Sequence, residues 1–381
     1  MFSIHSDDIK THDKLPAAFY EVLFNPKAGY ALKQAEPLKM TEKAYGSHPE
    51  KIEKVMHHFR SVSRNAGVIL SGNKGIGKSF FAKSLAIHAV EEGYPVLIVT
   101  DNTPALPWFI NSVQQEVVIL MDEFDKTFPK EGEAPTTQEN MLSLLDGLST
   151  GKKLFIVTCN ELNKMSEFVV NRPGRFHYHF RFENPSRSEM ELYLKDKVKP
   201  EYHKEIPEVL GFAAKVEVNY DCLRAIATEL NYGYPFKDAV KDLNIMSTST
   251  PRYEVSLVFD DGSKLFSDNL QLDLFDDSGL RFYLEEHNTD YEFTLVTIDT
   301  TGATPVYDLE LSANVIPASK LKLNWYKERT KEEDEDDKAY NEQLRAFKAK
   351  TPLYVVFKLK YSQRSYHYYD FESNRKYRSL P

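Results

Sequence analysis

Residues 72–79 read Gly-Asn-Lys-Gly-Ile-Gly-Lys-Ser, a G-x-x-x-x-G-K-[ST] pattern set directly behind the apolar run Val68-Ile69-Leu70. Glycines let successive backbone N–H groups turn inward around an anion, and a helix beginning near Lys78 adds the positive end of its dipole. In such a cradle, built from Gly72, Asn73, Lys74, Gly75, Ile76, Gly77, Lys78, Ser79 and Phe80, the lysine neutralises the outer phosphates of ATP or GTP. The serine hydroxyl completes the shell of a Mg²⁺ ion. Asp122-Glu123 closes a second apolar run, Val117–Met121. Asp122 is placed to hold the metal and Glu123 to polarise the water that attacks the γ-phosphate. Asn160 ends the run Leu154-Phe155-Ile156-Val157-Thr158-Cys159, where a neutral amide hydrogen-bonds that water or the γ-phosphate without adding charge. Asn171-Arg172-Pro173-Gly174-Arg175-Phe176 carries two guanidinium groups around a Pro-Gly turn. Such a rigid cationic tip stabilises a transferring phosphoryl group when a neighbouring subunit supplies it.

Around these residues the chain alternates short apolar runs with helical patterns. Val96-Leu97-Ile98-Val99 follows an amphipathic stretch over 80–92, Val117–Met121 follows 107–115, Leu154-Phe155-Ile156-Val157 follows 137–148, and 177–182 follows the Pro-Gly turn. Strands alternating with helices predict an α/β fold, a parallel sheet with helices on both faces, and a site at the carboxyl ends of the strands.

These residues, in this order and approximate spacing, resemble the AAA ATPases of the AAA+ superfamily over about residues 40–245. The resemblance implies ATP with Mg²⁺, Asn160 as a first sensor, and Arg172 and Arg175 as arginine fingers acting on a neighbour's nucleotide. It therefore also implies a homo-oligomeric ring, usually a hexamer. It makes Lys43-Ala44-Tyr45-Gly46 an adenine-side segment with Tyr45 at its centre, and makes Arg224, in Asn219-Tyr220-Asp221-Cys222-Leu223-Arg224, a second sensor on a small helical lid that includes 188–197 and 220–230. The chain departs from the family where threading members carry an aromatic-apolar-Gly tripeptide after the second strand. It offers Asp101-Asn102-Thr103-Pro104-Ala105-Leu106-Pro107-Trp108-Phe109 instead, in which Leu106 and Trp108 either grip a substrate or belong to the core.

Outside that region, residues 1–40 contain one strand-like run, Phe19-Tyr20-Glu21-Val22-Leu23-Phe24, and a turn at Asn25-Pro26-Lys27-Ala28-Gly29. Beyond Pro251 the pattern becomes β. Runs at 253–259 and 264–266 flank Asp260-Asp261-Gly262, another run spans 291–298, and two more cover 321–326 and 353–361. The acidic block Glu332-Glu333-Asp334-Glu335-Asp336-Asp337 reads as a solvated loop or helix start. The expected organisation is an N-terminal segment 1–40, a nucleotide-binding domain 41–184, a helical lid 185–249 and a β-rich domain 250–381.

With 41% hydrophobic residues in 381 the chain can bury more than one core. Its net charge of -9 disfavours nucleic acid as a bulk partner. Cys159 and Cys222 have no neighbours at metal or redox spacing, as expected of a reducing compartment. No apolar run approaches the ~20 residues that cross a bilayer, and the N-terminus has no basic-then-apolar leader pattern, which together predict a cytoplasmic protein. Three functions follow: an ATPase that remodels a protein or protein assembly through its C-terminal domain, a nucleic-acid motor or loader, and an ATP-dependent switch or scaffold. Tyr361, Tyr366, Tyr368 and Tyr369, interleaved with Lys360, Arg364 and His367, serve the second reading as a base-stacking platform or are simply strand-forming tyrosines.

Overall fold

A computed structural model describes residues 2–5, 9–40, 43, 45, 48–132, 134–146, 151–166, 169, 174–245, 250–276, 279–287, 292–300, 303–326 and 335–360. The described residues divide into two compact units, one ending at Glu183 and one beginning at Asn184.

The first unit begins with strands β1 (Phe2–His5), β2 (Ile9–His12), β3 (Phe19–Asn25) and β4 (Gly29–Gln34), followed by helix α1 (His48–Ser61). Then come β5 (Ala66–Ser71), α2 (Lys78–Glu91), β6 (Val96–Val99), α3 (Leu106–Ser112), β7 (Val117–Met121), α4 (Phe124–Thr127), α5 (Gln138–Asp146), β8 (Lys153–Cys159) and β9 (Tyr178–Arg181). All join one sheet in the order β2-β1-β4-β3-β6-β7-β8-β5-β9. From β3 to β9 the pairings are parallel.

Helices cover both faces because alternate strand residues point to opposite sides. Val68, Leu70, Val118 and Ile156 meet Val55, Met56 and Phe59 of α1 and Phe81, Leu85 and Ala89 of α2. Ile69, Ile119, Phe155 and Val157 meet Leu106 and Ile110 of α3, Phe124 of α4 and Met141 and Leu144 of α5. The run Phe19–Asn25 is a strand, and it pairs in parallel with β6, so residues from the N-terminal segment extend the sheet that contains β5.

The second unit opens with helices α6 (Arg187–Lys197), α7 (Ile206–Ala213), α8 (Tyr220–Tyr232) and α9 (Phe236–Asp242). Ser186 and Glu189 form a capping box at the start of α6, and the Asn219 side chain accepts from Cys222 N at the start of α8. Strands β10 (Arg252–Phe259), β11 (Lys264–Gln271), β12 (Arg281–His287), β13 (Glu292–Asp299), β14 (Val306–Asp308), β15 (Ala313–Pro317), β16 (Lys322–Trp325) and β17 (Pro352–Lys360) follow, with α10 (Glu335–Lys348) before the last. They form an antiparallel sheet ordered β14-β15-β17-β10-β11-β12-β13-β16. Tyr340, Leu344 and Phe347 of α10 fill the same core as Val255, Leu257 and Phe259 of β10. Tyr253 Oη donates to Lys215 O, and Asn314 Nδ2 donates to Ala214 O at 3.1 Å, so the segment after α7 is tied to this sheet. The acidic block enters α10 at Glu335. Among the described residues no helix is long and apolar enough to cross a membrane. The tyrosines at 361, 366, 368 and 369 lie outside the described residues.

Candidate active site

Strand β5 delivers the chain to the phosphate loop between β8 and β9, and both neighbours pin its end. Phe182 N donates to Ser71 O at 2.8 Å and Gly72 N to Cys159 O at 3.3 Å. Gly72 adopts φ 144°, and a Cβ there would lie 2.3 Å from the Phe182 carbonyl oxygen, so only glycine fits. Gly75 and Gly77 also have positive φ, and α2 starts at the next residue, Lys78. The loop thus ends on a helix N-terminus, as an anion cradle requires.

Lys78 is 6% exposed. Its Nζ donates to Gly72 O at 2.9 Å, Asn73 O at 2.6 Å and Asn160 Oδ1 at 2.9 Å. Burial lowers its pKa, partly opposed by the charges of Asp122, Asp125 and Glu123. The ammonium is therefore directed along the inside of the loop, where a phosphate oxygen would replace carbonyl partners.

Ser79 Oγ donates to Asp122 Oδ1 at 3.0 Å. Thr158 Oγ1 donates to the same oxygen at 2.5 Å and accepts from Glu123 N at 2.9 Å. Thr158 of β8 thereby locks the turn at the end of β7. The donors gathered here, Ser79, Asp122 and Thr158, are all oxygens, the chemistry a hard cation such as Mg²⁺ selects.

Glu123 has φ 50°, an uncommon left-handed conformation for a residue with a side chain. Its Oε1 accepts from Lys126 Nζ at 2.5 Å and from Asn160 Nδ2 at 3.2 Å. The hydrogen bond from Lys126 is the main reason its pKa falls below the usual carboxylate range, with Asn160 adding to it. Asn160 thus touches Lys78 with its carbonyl and Glu123 with its amide, joining the loop that ends β5 to the turn that ends β7. Its backbone N and that of Glu161 both donate to Asp125 Oδ2, at 3.1 and 3.0 Å.

Elsewhere the expected residues fall as follows. Arg172 lies outside the described residues, while Arg175 is half-buried beside Phe176, whose ring packs over Gly67. Tyr45 is 7% exposed with Lys43 Nζ 5.9 Å from its ring centroid. Phe80 lies in the first turn of α2 with its ring 6.1 Å from that of His48. Arg224 belongs to α8 in the second unit, where its NH1 lies 3.0 Å from Asp221 Oδ1. The pair at the start of α3 divides: Leu106 is fully buried, and Trp108 is 72% exposed.

Residue type and spacing did not reveal Thr158, Asp125 or Lys126 as parts of the site, nor His179. The His179 Nε2 shares a 2.7 Å hydrogen bond with Ser71 Oγ, and burial lowers its pKa to about 4, so it is neutral beside the loop. Cys159 is inert, its thiol pushed up to about 12 by burial. Glu53, His88 and Glu92 group at metal-ligand spacing, but the Arg60 guanidinium bonds both carboxylates and supplies the cation there.

Residues 68–184 match the family described as "ATPase family associated with various cellular activities (AAA)". The chain is 22% identical over 173 residues to an ATP-dependent zinc metalloprotease, FTSH 9, of Oryza sativa subsp. japonica, covering 39% of this chain and 22% of that protein. It is 28% identical over 145 residues to an ATPase family AAA domain-containing protein of Arabidopsis thaliana (33% and 12%), and 25% identical over 191 residues to 26S proteasome regulatory subunit 8 of Dictyostelium discoideum (45% and 45%). The chain spans less than half the length of each. Phosphate loop, strand-end carboxylates, parallel sheet and family match coincide in the same stretch, and residues 68–184 are an AAA ATPase domain.

Proposed function

We propose that this chain is an oligomeric ATPase in which hydrolysis of Mg·ATP remodels a protein or a protein assembly. The observation that carries the hydrolytic part is the Asn160 side chain, which contacts Lys78 at 2.9 Å and Glu123 at 3.2 Å. Lys78 would hold the β- and γ-phosphates within the loop formed by residues 72–80, and Glu123 would take the proton of the attacking water. Ser79 and Asp122 would hold Mg²⁺, which when bound neutralises charge on the phosphate oxygens. Tyr45 would lie on the adenine side and Arg224 would act as a second sensor. Arg172 and Arg175 would serve the nucleotide of an adjacent subunit in a ring, most simply a hexamer.

The protein-directed reading draws support from relatives that are, by name, a metalloprotease and a proteasome subunit. It is also supported by Trp108, a large aromatic side chain held out to solvent after β6. Residues 250–381 would select the partner. Glu123→Gln tests the site: ATP affinity is expected to persist while turnover drops roughly 10²- to 10⁴-fold. Hydrolysis at the parental rate would show that the site is misassigned. What co-purifies with the stalled variant then identifies the partner. DNA or RNA in place of protein in that fraction would favour a nucleic-acid motor or loader, and assembly on ATP with negligible turnover in the parent would favour a switch.

A further inference from the structure

Asp125 lies two residues beyond the carboxylate pair, at the second position of α4, and has no role in the hydrolysis proposed above. It is 6% exposed, yet it faces no cationic side chain at hydrogen-bond distance among the described residues. Its Oδ2 instead accepts two backbone amides in succession, Asn160 N at 3.1 Å and Glu161 N at 3.0 Å. Its Oδ1 is buried with no hydrogen-bond partner among the described residues. A buried carboxylate oxygen that accepts two successive amides at the end of a strand fixes where that strand stops. The strand is β8, and Asn160 is the first residue beyond it.

The chain reaches this contact only through the left-handed turn at Glu123. After β7 the backbone reverses there, and α4 carries Asp125 back against the end of β8. The unfavourable φ at Glu123 and the amide clamp therefore belong to one arrangement. Because the Asn160 side chain extends from the clamped backbone to both Lys78 and Glu123, a shift at Asp125 would move the contact between the phosphate-binding lysine and the general base. We propose that Asp125 is a positioning residue for hydrolysis, acting through Asn160. This inference rests on the hydrolytic reading of the site.

The test is a cycle of Asp125→Ala, Asn160→Ala and the double variant, with Asp125→Asn alongside. ATP turnover, ATP binding and thermal unfolding are measured for each. Asp125→Ala should lower kcat by about tenfold or more while ATP affinity stays within about threefold of the parent. Asp125→Asn, which keeps an oxygen able to accept both amides, should stay within about threefold in kcat. The double variant should be no slower than Asn160→Ala alone, since residues that act as one unit are not additive. If Asp125→Ala does not fold, Asp125→Ser, whose hydroxyl is too short to span both amides, takes its place in the cycle.

Multiplying losses in the double variant would assign Asp125 a structural role and overturn the proposal, as would an Asp125→Asn chain as slow as Asp125→Ala. Glu123→Gln, assayed in the same series, separates the two levels. If it is inactive while the cycle is additive, only the role of Asp125 fails; if it turns over at the parental rate, the assignment of the whole site fails first.

Discussion

Glu123 is held by the lysine three residues on, and that contact sets how strong a base it can be. The Lys126 hydrogen bond lowers the Glu123 pKa, so the carboxylate stays ionised to lower pH and is correspondingly less basic. Replacing Lys126 by Met should raise that pKa and move the acid limb of the kcat–pH profile to higher pH, with little change in stability because the pair is about half exposed. An unshifted limb would separate Lys126 from the chemistry. Trp108→Ala should leave basal ATP hydrolysis intact and reduce its stimulation by a protein substrate, a difference read from the two rates side by side. That the phosphate loop, Asp122, Glu123 and Asn160 come together was legible in the sequence, because each follows an apolar run that reads as a neighbouring strand. Thr158, Asp125 and Lys126 were not, since each acquires its role from a left-handed turn at Glu123 or from the register of β7 beside β8, and neither leaves a mark in the residues themselves.

At the level of elements, the central parallel strands β5, β6, β7 and β8 were readable as apolar runs because both faces of each are covered. β8 shows this most fully, every residue from Lys153 to Cys159 being buried. Its first residue is the exception in kind. Lys153 is fully buried, its Nζ donates to Val113 O at 3.1 Å and Gly151 O at 2.7 Å, and burial lowers its pKa to about 8 from 10.5. Between those two values the unfolded chain binds the extra proton, so stability should rise as pH increases from about 8 to about 10.5 and the penalty should be fully present below 8. The total is of order 3 kcal/mol at most. Lys153→Met should flatten that rise, which denaturant melts across the interval would measure. Strand β12 escaped the sequence reading because Phe282 and Leu284, the residues that mark its buried side, alternate with Arg281, Tyr283 and Glu285. The joining of β3 to β6 also escaped it, because the two strands are 70 residues apart in the chain and no local pattern records their pairing.

For the whole molecule, the ring proposal makes activity a property of neighbours. Turnover per subunit should climb with protein concentration, and an Arg172→Ala, Arg175→Ala chain mixed with a Glu123→Gln chain should recover activity that neither shows alone, because some composite sites then hold both groups. Turnover independent of concentration in a monomer would remove the ring. The position of β5 bears on how such a subunit is made. The phosphate loop precedes β8 and β9 in the chain, but the strand that presents it lies between them, and Gly72 is lodged against the carbonyl of Phe182. A nascent chain therefore carries the whole motif before the strands that flank it are made, and it is expected to hold nucleotide only once residue 182 has left the exit tunnel, which nucleotide retention by stalled chains of increasing length would check. On that expectation, ATP capture would come late in synthesis, once the sheet has closed.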